Sequence, residues 1–313
     1  MGRKDNLGAY LILSPFLIVF TIFLLFPVFY SFYLSFFKVG PYTDLTNVFN
    51  SMDFIGFSNY QDLLEDREFL WSLMVTGLYG LMTVPGTILL SLSLALILNR
   101  EMRGRAFFRS AFFLPNVLDM LVIGFAWQLI YAPKYGILTR LLEYFFNISA
   151  FHETGFLGNP YYALPAIAFA MILKGSGFGL ILFLASLGNI PKSLYEAAQI
   201  DGANRWETLV NITLPLLKPT ILFLIVTGTM AALNGFTEIY AMTDAKGGPN
   251  FVDPTGVLGY ETLGATKISG FYLWKVFSFG RYGYAAAMSY LLLMVALGIS
   301  FLNARWLRAR DTN

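Results

Sequence analysis

Long apolar runs dominate the chain, and short polar segments separate them. Because a helix rises about 1.5 Å per residue, a hydrocarbon core of about 30 Å requires roughly 20 mainly apolar residues. Six runs are long enough and predict six transmembrane helices. The predicted spans cover residues 11–37, 71–98, 112–131, 162–187, 219–242 and 284–303. The first run lacks a small-residue cleavage pattern, so we interpret it as an uncleaved span.

The polar segment 190–218, between the fourth and fifth predicted spans, is more elaborate than a simple connection. Ser193 is followed by Glu196 at the spacing of a capping box, and Asn204 is followed by Glu207 at the same spacing. The pattern therefore predicts two short helices outside the membrane.

The first of these helices is predicted over residues 194–200, and Gly202 can end it in a left-handed conformation. The second is predicted from about Arg205, and Pro215 and Pro219 are expected to bend the chain back into the membrane. Small alanines and a charge near the helix start suit docking into the groove of a partner, with Leu194 and Tyr195 as an apolar anchor.

Composition places the chain among integral membrane proteins. Its 313 residues are 57% hydrophobic and 13% charged, whereas soluble domains average about 25% charged residues. There is no cysteine, and His152 is the single histidine, which argues against thiolate and histidine metal sites. A net charge of +2 is too small to indicate nucleic acid binding.

The basic residues predict the orientation. The segments that would be cytoplasmic hold 12 of the 21 Lys and Arg residues, although they are the shorter share of the polar chain. These are Arg3, Lys4, Arg100, Arg103, Arg105, Arg109, Lys192, Arg205, Lys218, Arg305, Arg308 and Arg310. The positive-inside rule then predicts that both termini and segment 190–218 are cytoplasmic.

Enzymatic motifs are absent from the sequence. There is no Gly-rich phosphate loop followed by Lys and Ser or Thr, and no Gly-x-Ser-x-Gly nucleophile elbow. We therefore expect no catalytic residues, no metal site and no cofactor bound by this chain.

Three charged residues fall inside predicted spans: Asp119, Lys174 and Glu238. A charge at the centre of a span costs about 2.5–3.5 kcal/mol on insertion scales, so these side chains are expected to face protein or water. They either line a pathway or are structural, with Lys174 paired to Asp119 or Glu238 or extending its stem toward the interface.

Small residues in the fourth and fifth spans allow two interpretations. Gly175, Gly177 and Gly235 can let helices approach closely, or they can leave room for a ligand. Beside Phe178 and opposite Asn234, such room would suit a neutral hydroxylated solute.

One motif narrows the function. Glu196-Ala197-Ala198 is followed by Gly202 after three residues, and then by Ile212 and Leu214-Pro215. This pattern resembles the Glu-Ala-Ala motif of permease subunits of binding-protein-dependent ABC importers. The resemblance extends over nearly the whole chain and narrows to the carbohydrate branch, the first-subunit permeases of maltose and glycerol 3-phosphate importers. Further stretches that carry it are Ser14-Pro15-Phe16, Gly56 to Tyr60, Phe113-Leu114-Pro115, Gly247-Gly248-Pro249 and Gly283 to Ala287.

The resemblance implies an all-α integral membrane protein with the type I importer permease fold, forming a single permease domain over residues 1–313. It also implies the prokaryotic inner membrane, a second permease subunit in a heterodimer, two ATPase subunits and an extracytoplasmic solute-binding protein. ATP and Mg would be bound by the ATPase, membrane lipid would surround the spans, and no nucleic acid is involved.

The family's coupling helix seats in a cleft of the ATPase and carries closure of the ATPase dimer into alternating access. The residues assigned to this contact are Leu194, Tyr195, Glu196, Ala197, Ala198, Asp201 and Gly202. The residues assigned to the substrate pathway are Lys174, Gly175, Phe178, Asn234, Gly235 and Glu238. Where the maltose permease has an asparagine-rich run, only Asn234 keeps its amide here.

Two other classes are open on the residues alone. An ion-coupled secondary transporter or channel would use Asp119, Lys174 and Glu238 as a relay, but it leaves the Glu196 segment unexplained. A membrane enzyme such as a glycosyltransferase would need clustered acidic or nucleophilic residues at one membrane face. Copurification of an ATPase favours the importer, and proton-driven uptake by the lone chain excludes it.

Overall fold

The computed structural model describes residues 3–44, 51–252 and 262–308, and these are mostly helical. Within these ranges, five helices are long and apolar enough to cross a membrane, and a pair of helices bent by 103° is a sixth candidate. The predicted helical membrane fold is confirmed. Two small antiparallel sheets, which the hydropathy pattern does not predict, lie outside these helices.

The chain divides into two units. The first comprises Met1–Asp66 and Leu273–Val295, and the second comprises Arg67–Tyr272 and Ala296–Asn313. A single permease domain over residues 1–313 stays a prediction.

The N-terminal part of the first unit is one helical run followed by a small sheet and a short helix. Its elements are α1 (Arg3–Phe20), a π-helical turn (Thr21–Leu25), α2 (Phe26–Leu34), β1 (Phe37–Lys38), β2 (Asp53–Phe54) and α3 (Ser58–Glu65). The π-helical turn directly precedes Phe26-Pro27, and the Phe26 N–H donates to the Thr21 carbonyl. Because proline has no N–H and its ring clashes with the carbonyl four residues earlier, the wider turn lets the helix continue.

The second unit contains the long helices α4 and α8 and most of the shorter elements. In order these are α4 (Arg67–Leu98), α5 (Arg105–Val117), α6 (Met120–Ile130), α7 (Ile137–Phe146), α8 (Ala163–Gly188), α9 (Lys192–Ile200), α10 (Arg205–Thr208), a π-helical turn (Leu209–Thr213), α11 (Leu214–Leu233), α12 (Thr237–Met242), β3 (Asn250–Val252) and β4 (Thr262–Gly264). Helices α13 (Ser269–Ser278) and α14 (Tyr282–Arg308) contribute residues to both units.

Helix α8 packs closely against α4 and α5. A Cβ added at Gly179 would lie 2.3 Å from Ser91 Oγ on α4, and one at Gly177 would lie 2.1 Å from the Phe112 carbonyl on α5. Both glycines therefore permit close approach of the helices. Of the two interpretations of Gly177, the structure supports helix packing and not room for a ligand. The adjoining apolar core includes Leu98 of α4, Phe183 of α8 and Leu217 of α11, together with Leu180, Leu184, Leu187 and Leu224.

The third predicted span, residues 112–131, is not one helix. Helix α5 ends at Val117, Leu118 is extended, and α6 begins after Asp119 at an angle of 103° to α5. Asp119 is the N-cap of α6, and its Oδ1 accepts a hydrogen bond from the Leu121 N–H at 2.8 Å. A capping carboxylate satisfies orphan backbone donors and is favoured by the helix dipole. Asp119 is thus explained by local structure.

The fifth predicted span, residues 219–242, has different ends. Its helix runs continuously from Arg205 to Leu233, and α12 forms a separate short helix after a break. Neither proline ends the helix, because a π-helical turn precedes Pro215 and the Leu214 N–H donates to the Leu209 carbonyl. A bend at the two prolines stays a prediction. As at Pro27, the wider turn accommodates the proline without ending the helix.

Candidate functional site

Helix α9 is the short helix that follows α8, and its two ends are formed differently. It begins after Pro191, and no side chain caps its N-terminus, so the predicted Ser193–Glu196 capping box is wrong. Proline fixes its own φ near the helical value, which makes it a favourable residue at a helix start. Ser193 lies inside the first turn instead.

The C-terminus of α9 is closed as the sequence predicts. Gly202 adopts a φ of 78°, its N–H donates to the Gln199 carbonyl at 3.2 Å, and the Ala203 N–H donates to the Ala198 carbonyl at 2.9 Å. This pair of bonds is a Schellman motif, which satisfies the last carbonyls of a helix and needs a left-handed residue. A Cβ at position 202 would meet no atom within 4 Å, so only the backbone conformation favours glycine there.

One side of α9 faces the rest of the second unit. Ala198 is 6% exposed, and Tyr195 packs on the apolar core while its hydroxyl lies 3.3 Å from Thr213 Oγ1. In this chain Ala198 is buried and Tyr195 is partly buried, and their place in the ATPase contact stays a prediction. Tyr195 thus holds α9 against the apolar core and the π-helical turn that precedes α11.

The opposite side of α9 is exposed. It carries Glu196, Ala197 and Ile200, with Leu194 at its edge and Asp201 just after the last turn. Ile200 is 87% exposed, the largest value on this helix among its large apolar side chains, and sequence reasoning did not single it out. Its spacing from Ala197 predicts that it lies on the same exposed face, since residues three apart share a helix face.

The connection to α11 contains a capping box at the start of α10. The Asn204 side chain accepts from the N–H groups of Trp206 and Glu207, and the Glu207 carboxylate accepts from the Asn204 N–H. This confirms the second predicted capping box. Trp206 is 71% exposed next to α9 and is a second apolar surface residue that sequence reasoning missed. Helix α9 is thus linked by one short turn to the helix that ends at Leu233.

A cavity of about 290 Å³ lies among α4, α8 and α11 in the second unit. Small-molecule sites commonly have volumes of about 300–1,000 Å³, so this cavity is near the lower end of that range. Four of the predicted pathway residues line it: Lys174, Gly175, Phe178 and Glu238.

One acidic and one basic side chain border the cavity, Glu238 and Lys174. Glu238 is 6% exposed, and its Oε1 accepts a hydrogen bond from the Tyr79 hydroxyl at 3.2 Å. Lys174 acts electrostatically on this carboxylate, but within the described part of the chain no carboxylate lies within 4.0 Å of its ammonium. A direct ion pair of Lys174 with Asp119 or Glu238 is therefore not formed.

Asn234 and Gly235 do not line this cavity. The Asn234 amide donates to the Met230 carbonyl at 2.9 Å and caps the last turn of α11. A Cβ at Gly235 would lie 2.6 Å from Glu238 Oε1 and 2.7 Å from Ile268 Cδ1, so the glycine allows the break between α11 and α12. Both residues lie at the C-terminal end of α11, and their place in the substrate pathway stays a prediction.

Polar side chains that sequence reasoning missed complete the cavity wall. Thr83 and Thr87 lie on α4, Asn116 on α5 and Thr227 on α11. With Tyr79, the two α4 threonines recur every fourth residue, the spacing of one helix face. Polar residues at this spacing within an apolar run are the feature of the sequence that predicts a polar helix face here.

The chain matches a family model described as "Binding-protein-dependent transport system inner membrane component" over residues 87–308. It is 33% identical over 298 residues to the trehalose/maltose transport system permease protein MalF of Thermococcus litoralis, covering 95% of this chain and 92% of that protein. It is 32% identical over 309 residues to the sulfoquinovosyl glycerol transport system permease protein SmoG of Agrobacterium fabrum, covering 98% and 92%.

Among solved structures, a bacterial ABC transporter involved in the import of the acidic polysaccharide alginate has a chain of similar fold. The TM-score is 0.77 at 24% identity, over 98% of this chain and 96% of that one. At that identity the likeness concerns the fold alone. These matches confirm the resemblance predicted from the Glu196 segment.

Proposed function

Because the chain belongs to the family of inner membrane components of binding-protein-dependent transport systems, we propose that it is the permease subunit of an ATP-driven sugar importer. Membership makes it a multi-pass inner membrane protein. The names of two relatives support a sugar, polyol or oligosaccharide as the cargo, since one transports trehalose or maltose and the other sulfoquinovosyl glycerol.

The observation that carries the coupling role is the two-sided geometry of α9. Its inner side is fixed by Tyr195 and Ala198, while its outer side presents Glu196, Ala197 and Ile200. A small residue between a charge and an apolar side chain suits insertion into a cleft of the partner ATPase. Leu194, Asp201 and Gly202 complete the proposed contact. ATP and Mg are bound by that partner.

Movement of α9 can be transmitted to the cavity through the chain that follows it and through side-chain contacts. The helix from Arg205 to Leu233 is continuous, and Tyr195 contacts Thr213 within it. That same helix lines the cavity through Thr227, Gly228 and Ala231. Closure of the ATPase dimer would therefore displace one cavity wall, as alternating access requires.

The proposed cargo contact uses Lys174, Glu238 and the hydroxyl-lined wall of the cavity. A sugar hydroxyl both donates and accepts hydrogen bonds, so it can accept from Lys174 and donate to Glu238. Phe178 is 40% exposed and offers apolar surface for a ring face. Gly175 lies in the same wall, where a Cβ would come within 3.2 Å of Thr87 Cγ2.

The proposed assembly contains a second permease subunit, two ATPase subunits and an extracytoplasmic solute-binding protein, which the family description implies in part. Both termini and α9 are cytoplasmic in this proposal, in line with the distribution of Lys and Arg. An ion relay of three charges is not favoured, because Asp119 caps α6 and does not line the cavity with Lys174 and Glu238.

The decisive experiment begins with the ligand of the partner binding protein, identified by thermal-shift screening against a sugar panel. That sugar is then offered to proteoliposomes holding the assembled complex. We expect uptake only with the binding protein outside and ATP inside, and no loss of uptake when a protonophore is added. Uptake by this chain alone, driven by a proton gradient, would overturn the proposal.

A further inference from the structure

Helix α7 exposes several large apolar side chains along one face, while Thr139 on its other side is buried. Ile137, Leu141, Tyr144 and Phe145 are 64%, 45%, 84% and 68% exposed. Their spacing of four, three and one residues places them on one face of the helix. A water-soluble helix shows the opposite arrangement, so this face requires an apolar environment from outside the chain.

The inward side of α7 is held by polar contacts. Thr139 is 1% exposed and its hydroxyl donates to the Ala132 carbonyl at 3.1 Å. Glu143 Oε2 lies 3.2 Å from Nδ1 of His152, the chain's single histidine. These contacts fix which side of the helix points outward, so the exposed apolar face is a consequence of the fold around it.

The position of α7 indicates what covers this face. It begins shortly after α6, the second half of a bent candidate span, and the chain then enters α8, which is itself a candidate span. Both neighbours end at the boundary of the hydrocarbon core if they cross it. Leu129, near the end of α6, is 73% exposed, so apolar surface continues from the span toward α7.

The residues around the face match the chemistry of a lipid headgroup region. Tyr135 is 78% exposed, and the Arg140 guanidinium lies 5.5 Å from the centre of its ring. Tyrosine is enriched at membrane interfaces, and basic side chains beside an apolar face are typical of helices that lie in the interface plane.

We propose that α7 lies in the interfacial layer of the bilayer, with Ile137, Leu141, Tyr144 and Phe145 inserted among the lipid chains and Arg140 at headgroup level. The helix then fixes the depth of the adjoining ends of α6 and α8. With the orientation proposed above this is the outer leaflet, but the placement at a bilayer surface holds for either side.

The test uses spin labels, and the chain is suited to it because it has no native cysteine. Leu141→Cys, Tyr144→Cys and Phe145→Cys are labelled one at a time in the assembled complex in lipid nanodiscs. Glu153→Cys is the control, since the Glu153 side chain is 78% exposed in the polar segment that follows α7. Relaxation by lipid-soluble oxygen and by a water-soluble nickel chelate is then compared.

We expect oxygen to relax the three α7 labels more strongly than the nickel chelate does, with the opposite order at position 153. Strong relaxation of the α7 labels by nickel would place the face in water and overturn the proposal. Protection from both reagents would also overturn it, because another protein subunit would then cover the face. Transport failure with a lipid-inserted α7 would count against the proposed function only.

Discussion

Helices α9 and α7 are both short, both lie outside the long apolar helices, and both expose apolar side chains, yet their surfaces differ in kind. The outer side of α9 alternates a charge, a small residue and a large one in Glu196, Ala197 and Ile200. The outer side of α7 consists of large apolar and aromatic residues such as Leu141 and Phe145.

The difference follows from what each partner can supply. A protein cleft can pair a charge and match the volume of an alanine, so a mixed surface gains specificity there. Lipid chains can neither pair a charge nor match the volume of a residue. Contact with them is favourable only in proportion to the apolar area removed from water. Exposure of hydrophobic residues alone therefore does not identify a docking site, whereas the pattern of size and charge on the exposed face does.

The largest expected effect is from Ala197→Arg in α9. Arginine adds bulk and charge at the centre of the proposed ATPase contact, and loss of about 3 kcal/mol of binding corresponds to roughly a hundredfold weaker association. Uptake in proteoliposomes and copurification of the ATPase should fall together. Ser149→Arg, an exposed position after α7, is the matched control and should leave both unchanged. Full uptake by the Ala197→Arg variant would contradict the proposal that α9, unlike α7, contacts the ATPase.

A second change tests whether the effect of α9 is separate from that of the cavity. Lys174→Met removes the ammonium that borders the cavity, and loss of one charged hydrogen bond of about 1.5–3 kcal/mol should reduce the apparent affinity for sugar about tenfold or more. ATPase copurification should stay at the wild-type level, and Lys134→Met serves as an exposed lysine control. Unaltered uptake kinetics would mean that Lys174 does not contact the transported sugar.

Aspartate substitutions compare the environments of the two helices directly. Phe145→Asp should destabilise the permease in nanodiscs by about 1–2 kcal/mol, because a ring buried in lipid is replaced by a charge. Ile200→Asp should change stability by less than about 0.5 kcal/mol in the absence of the ATPase, since the side chain is in water. Thermal unfolding followed by tryptophan fluorescence measures both. Equal destabilisation would contradict the assignment of different surroundings.

The smallest expected effects come from truncation to alanine. Ile200→Ala should weaken ATPase binding about fivefold, equivalent to about 1 kcal/mol, without altering stability. Leu141→Ala should leave ATPase binding unchanged and lower stability by about 1 kcal/mol. Titration of the ATPase onto nanodiscs holding each variant separates the two. If Leu141→Ala instead weakened ATPase binding and Ile200→Ala lowered stability, the assignments of α9 to the ATPase and α7 to lipid would be contradicted.

Sequence reasoning located the long helices and α9 because both depend on local patterns. Apolar length predicts a span, and the left-handed Gly202 and the Asn204 cap depend on residues close in the chain. The bend before α6 was missed because hydropathy measures composition and not direction. Asp119, followed by an apolar run, was a readable N-cap signal.

The other differences have tertiary causes. The π-helical turns before Pro27 and Pro215 keep helices continuous where a proline suggests a break, and that choice depends on packing as well as on sequence. Which side of α9 faces outward also depends on residues of other elements. Tyr195 turns inward because Thr213 and the apolar core receive it, and no spacing rule contains that information.

The most direct test of the account is ATP hydrolysis by the assembled complex with a Glu196→Lys permease. Glu196 is exposed on α9, so the variant should fold and insert normally. The wild-type complex should hydrolyse ATP faster when the sugar-loaded binding protein is added, and the variant should show no such stimulation. Undiminished stimulation in the variant would contradict the claim that α9 couples the ATPase to this chain.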